Sequence, residues 1–241
     1  MPTIENSVFK QKVLIGTHHK VATNLAGKIF ENLQKKYCFT LYRRGGRNRY
    51  DLIPEHWDVY HDHWSQWQID LNSIEFKGIH FIRNPLSLLY SAYLYHKRGK
   101  ESWTKQKRAS LGNKSLYESL NDLNTYEGIF CEIEHGPVVK TINNMLNLIH
   151  DNNFYHFKIE KASFDKSMSC WCDALFFINF NANKYNFNQA LNIIQKHCFF
   201  SFEKLPNHST TGMSNEYMKY IHQQHFKKLE EYCRINFQKE L

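Results

Sequence analysis

Lys20, Arg83 and two histidines, His61 and His63, are the side chains whose types and neighbours suggest joint chemistry. Lys20 closes a polar turn, His18-His19-Lys20, that follows the apolar run Val13-Leu14-Ile15 and the pair Gly16-Thr17. Behind it, Val21, Ala22, Thr23 and Asn24 lead into a stretch with apolar residues at helical spacing, Leu25, Ile29 and Leu33. Backbone N–H groups at a helix start favour a negative group, and a lysine adds a full charge. Thr23 and Asn24 can donate further hydrogen bonds. The Gly-rich spacing GxxxxGK[ST] that cradles a nucleotide triphosphate is missing. The segment therefore reads as an anion site of another kind.

A second anion site is written into "IHFIRNPLSLLYSAYLYH", residues 79–96. Asn84 suits an N-cap and Pro85 the first helical position. Arg83 sits at the strand end, and Ser91 lies close to two helical turns beyond Asn84, on the same face. Arginine is well shaped for a phosphate. His61 and His63, in "VYHDHW", supply a base, since an imidazole titrates at about 6.5 and is neutral near pH 7. Asp62 between them points the other way on an extended segment. His-x-His also offers two metal ligands, but histidine is common in this chain (14 in all) and such pairs arise by chance.

These groups need a scaffold. Strands are expected at Val13–Thr17, Cys38–Tyr42, Asp58–His61, Ile79–Ile82 and Phe154–Ile159. Helices are expected at Val21–Lys36, Pro85–His96, Val138–Ile149 and roughly 168–180, 187–198 and 215–237. Strands alternating with helices indicate an α/β fold with a mainly parallel central sheet flanked by helices. In such a sheet ligands bind beyond the carboxyl ends of the strands, where both anion segments and the histidines fall. Residues 97–115, polar and basic, are expected as a mobile loop or lid. No repeat or boundary divides the chain, so residues 1–241 are expected as a single domain.

Composition narrows the class. With 42% hydrophobic residues in 241, a sizeable core is available and disorder is not expected. No apolar run approaches a membrane span, and the start, MPTIENSVFKQK, lacks the apolar core of a signal peptide. A cytoplasmic protein is expected. The six cysteines form no CxxC pair, so neither a zinc finger nor a disulfide framework is indicated. A net charge of +8 favours an anionic partner. No RNA-binding motif accompanies the basic run Arg43-Arg44-Gly45-Gly46-Arg47-Asn48-Arg49, and no nucleic-acid partner is expected.

In order and spacing, the motifs resemble those of the sulfotransferase family, which uses 3′-phosphoadenosine-5′-phosphosulfate (PAPS). "HKVATN", His19 to Asn24, is similar to the family's P-K-x-G-T-T, with Ala22 in place of the glycine. Leu25 stands where a tryptophan often lies near the adenine. Arg83, Pro85 and Ser91 match its R-x-P followed by serine. "TTGMSNEY", residues 210–217, resembles R-K-G-x-x-G-D-W; Thr210 and Thr211 replace the basic pair, Gly212 is kept, and His208 could compensate for the missing charge.

The resemblance implies a P-loop-like sulfotransferase fold. The first loop would hold the 5′-phosphosulfate, Arg83 and Ser91 the 3′-phosphate, and Thr210, Thr211 and Gly212 would close over that phosphate. Lys20 would stabilise the leaving phosphate. Laying "HDH" on the family's K-T-H makes His63 the base, whereas counting back from Arg83 makes it His61. The product would be adenosine 3′,5′-bisphosphate (PAP), and no metal would be required. The acceptor would be a hydroxyl or amine of a small molecule or glycan. A nucleotide kinase-like phosphotransferase and a basic RNA-binding protein are the alternatives.

Overall fold

A computed structural model describes residues 8–45, 52–180, 184–198 and 215–233. In chain order the strands and α-helices are β1 (Lys12–Gly16), α1 (Thr23–Tyr37), β2 (Leu41–Arg44), β3 (Val59–Asp62), β4 (Phe76–Ile82), α2 (Pro85–Lys97), β5 (Lys107–Arg108), β6 (Lys114–Ser115), α3 (Leu116–Asp122), α4 (Thr125–His135), α5 (Val138–Leu146), β7 (Phe154–Lys158), α6 (Ile159–Phe164), α7 (Ser169–Phe177), α8 (Lys184–Gln195) and α9 (Gln223–Cys233). They form two compact units, Met1–Ile82 with Asn147–Lys204, and Arg83–Leu146 with Leu205–Leu241.

The first unit is built on a parallel five-stranded sheet in the order β2-β3-β1-β4-β7. The fold is therefore α/β, as the alternation of elements predicts. β1 is the central strand, and Val13, Leu14 and Ile15 are fully buried, as a strand covered on both faces requires. Register sorts the side chains. Ile15 pairs with His61 and His61 with Arg43, so these share one face. α1 packs there through Ala26, Ile29, Phe30 and Leu33, and Gly27 makes room for Arg43: a Cβ on it would stand 2.3 Å from Nη2. Trp171 of α7 closes the same face against Phe81 and Phe157. The opposite face carries Leu14, Tyr60, Phe76 and Phe154, joined by Trp57. Trp67 stacks on Phe154 with ring centroids 5.2 Å apart, which makes it a core residue.

The second unit is helical. α2 buries Leu88, Leu89, Tyr90, Ala92 and Tyr93 and packs against α3, α4 and α5, with α9 across α4 and α5. His96 and Glu132 form a fully buried pair, Nδ1 to Oε2 2.8 Å. Segment 97–115 is not an irregular lid. It carries a 3-10 turn, Ser102–Lys105, and the antiparallel pair β5–β6. Thr104 is buried within it, and Arg108 donates to the carbonyl of His135 at 2.7 Å. Its polar composition hid short pairings that depend on α4. Helices α3 and α4 were also hidden, although their caps are written locally. Ser115 and Glu118 form a capping box, and Asn124 accepts from the amide of Glu127.

Candidate functional site

The loop after β1 is tightly closed. The amide of Val21 and the hydroxyl of Thr23 both donate to the carbonyl of His18, each at 2.9 Å. The amide of Thr17 donates to the carbonyl of Asp62 at 3.1 Å and ties the loop to β3. Two non-glycine residues take left-handed backbone, Lys20 at φ 62° and Ala22 at φ 55°. Ala22 is the N-cap of α1. No side chain caps the helix there, and no acidic residue sits in its first turn. A helix offers its first N–H groups no internal acceptor, so this end keeps its positive potential for an anion.

The left-handed turn at Ala22 costs a residue with a Cβ about 1–2 kcal/mol. Ala22→Gly is expected to raise stability by up to about 1 kcal/mol after the glycine's greater unfolded-state entropy is counted, or about 1–3 °C. Paired melting curves check this, and a lower melting temperature would contradict the strain.

The two histidines of β3 and its exit differ in their surroundings. His61 is fully buried; its Nε2 lies 3.0 Å from Thr17 Oγ1, and its Nδ1 has no hydrogen-bond partner. His63 is half-buried, with its ring 4.8 Å from that of His61 and its Nε2 3.4 Å from Arg43 Nη2. Gly45 is needed beneath it, since a Cβ there would meet the ring at 1.9 Å. Burial, with the Arg43 charge behind it, pushes His63 down to about 4. Burial holds His61 well below its ordinary value, helped by His63 and Arg43. Both are neutral at pH 7. An anion bound nearby would raise them toward the working range of a general base.

Asp62 points to the opposite face, as the strand alternation predicts. It accepts from Arg44 Nη1 at 2.9 Å and from the amides of Trp64 and Gln66 at 2.8 and 3.0 Å. Arg44, in the basic run, is therefore a buried ion-pair partner of Asp62. It is 6% exposed and also donates to the carbonyl of Gln66 at 2.5 Å. Arg43 is ion-paired with Glu31 of α1.

In the second unit, Asn84 caps α2 by accepting from the amides of Leu86 and Ser87 at 3.0 and 3.2 Å, and Pro85 opens the helix. Arg83 donates from Nε to Ser87 Oγ at 3.1 Å, and Ser91, one turn further on, is buried. Arg83, Ser87 and Ser91 are thus spaced by successive turns of one helix face. Ser87 was missed in the sequence, although its four-residue spacing from both partners was visible there. Thr210, Thr211, Gly212 and His208 lie outside the described residues.

Sequence reasoning also missed a line of three imidazoles, two of them buried, on the Asp62 face of the first unit. His18 Nε2 lies 2.8 Å from His80 Nε2, and His80 Nδ1 lies 3.1 Å from His156 Nδ1. His80 and His156 were legible only as isolated polar residues in apolar strands.

No model of a known protein family matches the chain, and no curated protein matches it in sequence. Among solved structures, the chain is similar to mouse sulfotransferase SULT7A1 complexed with PAP, with a TM-score of 0.51 and 12% identity over 95% of this chain and 83% of that one. At this identity the likeness establishes the fold, a parallel α/β sheet of the sulfotransferase kind. Among the described residues, no helix is long and apolar enough to cross a membrane.

Proposed function

We propose that the protein is a sulfotransferase that moves a sulfuryl group from PAPS to a hydroxyl or amine of a small-molecule or glycan acceptor. The observation that carries this reading is the loop after the central strand. It sets Lys20 two residues before a helix N-terminus that has no side-chain cap and no acidic residue in its own first turn. Such an end takes an anion without a Walker glycine loop. The fold likeness to a PAP-bound sulfotransferase supports the choice of anion.

In this reading residues 1–241 work as one sulfotransferase-like domain. The loop His19–Asn24 holds the 5′-phosphosulfate, and Arg83 with Ser91 holds the 3′-phosphate; Thr210, Thr211 and Gly212 add to it. The acceptor oxygen attacks sulfur and gives its proton to His63 as the bond from sulfur to the 5′-phosphate oxygen breaks. Lys20 offsets the charge that develops on that oxygen, and PAP leaves. His63 is preferred as the base because it is half-buried while His61 has no exposed surface. His61, held by Thr17, supports the His63 ring from behind. Positioning and charge stabilisation supply most of the catalysis in transfers of this kind.

PAP at about a hundred times its dissociation constant is expected to stabilise the protein by about 2.7 kcal/mol, which for a chain of this size raises the melting temperature by about 5–10 °C. No shift at saturation would overturn the reading. A shift with magnesium–ATP and none with PAP would favour the kinase-like alternative.

A further inference from the structure

We propose that His80 and His156 are positioning residues for the anion loop, acting through His18 as a line of three imidazoles in which the charge at one end decides the tautomer at the other. The inference rests on the loop's anion-binding role and adds a proton linkage to it.

The line crosses three adjacent strands. His80 and His156 are register partners on β4 and β7, and His80 also pairs with Gly16 of β1, two residues before His18. The His18 and His80 rings meet edge to face, with centroids 5.1 Å apart, as do those of His80 and His156 at 5.3 Å. His18 and His80 are buried, and His156 is half-buried and forms the outlet. Ser65 Oγ stands 3.1 Å from His18 Nε2 and 3.1 Å from the carbonyl of Thr17, so the loop end is held in place.

Each N···N contact accommodates one proton. His80 spends both nitrogens in the line, so a neutral His80 donates at one and accepts at the other. Two arrangements result. In the first, His18 Nε2 donates to His80 Nε2, and His80 Nδ1 donates to His156 Nδ1. In the second every bond is reversed, and His18 carries its proton on Nδ1. A proton taken up on His18 Nδ1 sends one from His18 Nε2 to His80 Nε2 and one from His80 Nδ1 to His156 Nδ1. His18 and His80 end neutral, and the charge rests on His156. A charged His156 donates from both nitrogens, so only the second arrangement accommodates it.

An anion in the loop favours this state, so anion binding and protonation of His156 reinforce each other. The groups facing His156 are Asp151, which raises its proton affinity, and His150 and Lys158, which lower it; burial is the largest influence and also lowers it. Among the described residues, the charged or titratable groups that act on His80 are the His18 and His156 imidazoles.

Long-range proton–nitrogen NMR spectra of the full chain distinguish protonated from bare ring nitrogens. As pH falls below 6.5, the ordinary imidazole value, His156 is expected to gain its proton and His18 to move its proton from Nε2 to Nδ1 in the same step. Over that step the Kd for PAP is expected to fall about fivefold. In His80→Phe, which keeps a ring but removes both nitrogens, His156 still titrates while the His18 tautomer and the PAP step no longer follow it. His156→Gln, at the half-buried end, removes the titration itself and should hold the His18 tautomer constant. A His18 tautomer that ignores the His156 titration in the unsubstituted protein overturns the proposal, as does a PAP step that survives His80→Phe. Complete failure to bind PAP sinks the sulfotransferase reading instead, and the tautomer spectra still judge the line.

Discussion

Lys20→Ala is expected to slow sulfuryl transfer from PAPS by about 10²–10³-fold or more, the usual cost of removing one group that stabilises developing charge. The loss should fall on kcat with a smaller change in KM, because Lys20 is assigned to the charge that appears as the bond to sulfur breaks. Arg83→Ala should behave in the opposite way, raising KM with less effect on kcat, since the 3′-phosphate does not change charge during transfer. The comparison is clean because Lys20 holds a left-handed backbone, φ 62°. Alanine keeps the Cβ and therefore the same local conformation, so a loss of turnover does not come from a changed backbone. Glycine would relax the turn and confuse the result. A Lys20→Ala enzyme with normal kcat would remove the lysine from the chemistry. A raised KM with kcat unchanged would make it a docking residue only.

Mild acid is expected to unfold the protein. Burial lowers His18 to about 3 and His63 to about 4, and holds His61 and His80 well below the ordinary imidazole value; His156 is also lowered. All five have folded values below their unfolded ones. Their stabilising contribution is therefore complete above about pH 6.5, the unfolded value, and is lost as pH falls toward the folded values. For His18 alone, two pH units below 6.5, the loss is about 2.7 kcal/mol at 1.36 kcal/mol per unit. A domain holds only about 5–15 kcal/mol in total, so two or three such groups consume much of it. His63 contributes less, since water reaches part of it. Carboxylates held low by hydrogen bonds, such as Asp165 with Ser167, Ser169 and the Cys170 amide, lose their contribution only at lower pH. Melting temperatures between pH 7.5 and pH 4.5 check this: a steep fall beginning near pH 6 is expected, with net proton uptake on unfolding. A flat profile to pH 4.5 would mean that these histidines are solvated in the folded protein.

Much of the scaffold was legible because its signals are local. Val13-Leu14-Ile15 followed by Gly16 and a polar turn announces a buried strand and its exit, and β1 ends at Gly16. Asn84-Pro85 announces a helix start, and α2 begins at Pro85 with Asn84 as its cap. Leu25, Ile29 and Leu33 announced α1, although the helix buries Ala26 and Phe30 more fully than Leu25. Segment 97–115 failed for the opposite reason. Its order comes from Arg108 reaching a carbonyl 27 residues away, which composition does not record. Arg44 failed in the same way. Within an arginine-rich run it reads as solvated, but Asp62, on a neighbouring strand, makes it a buried ion-pair partner.

By itself the sequence determined the central strand and its exit, the helices α1 and α2 that follow β1 and β4, the parallel α/β class of the main sheet, and that Lys20 and Arg83 stand at strand exits. Each follows from residues within a few positions of one another, through side-chain periodicity, capping and backbone preference. Tertiary structure alone decided which histidines are neutral, which share a face, and which of them touch. His61 and His80 lie on opposite faces of one sheet, and His80 meets His18 and His156 only because β1, β4 and β7 align in a particular register. The affinity of an imidazole for its proton depends on how much water and charge surround it, and here that surrounding is assembled from strands far apart in the chain.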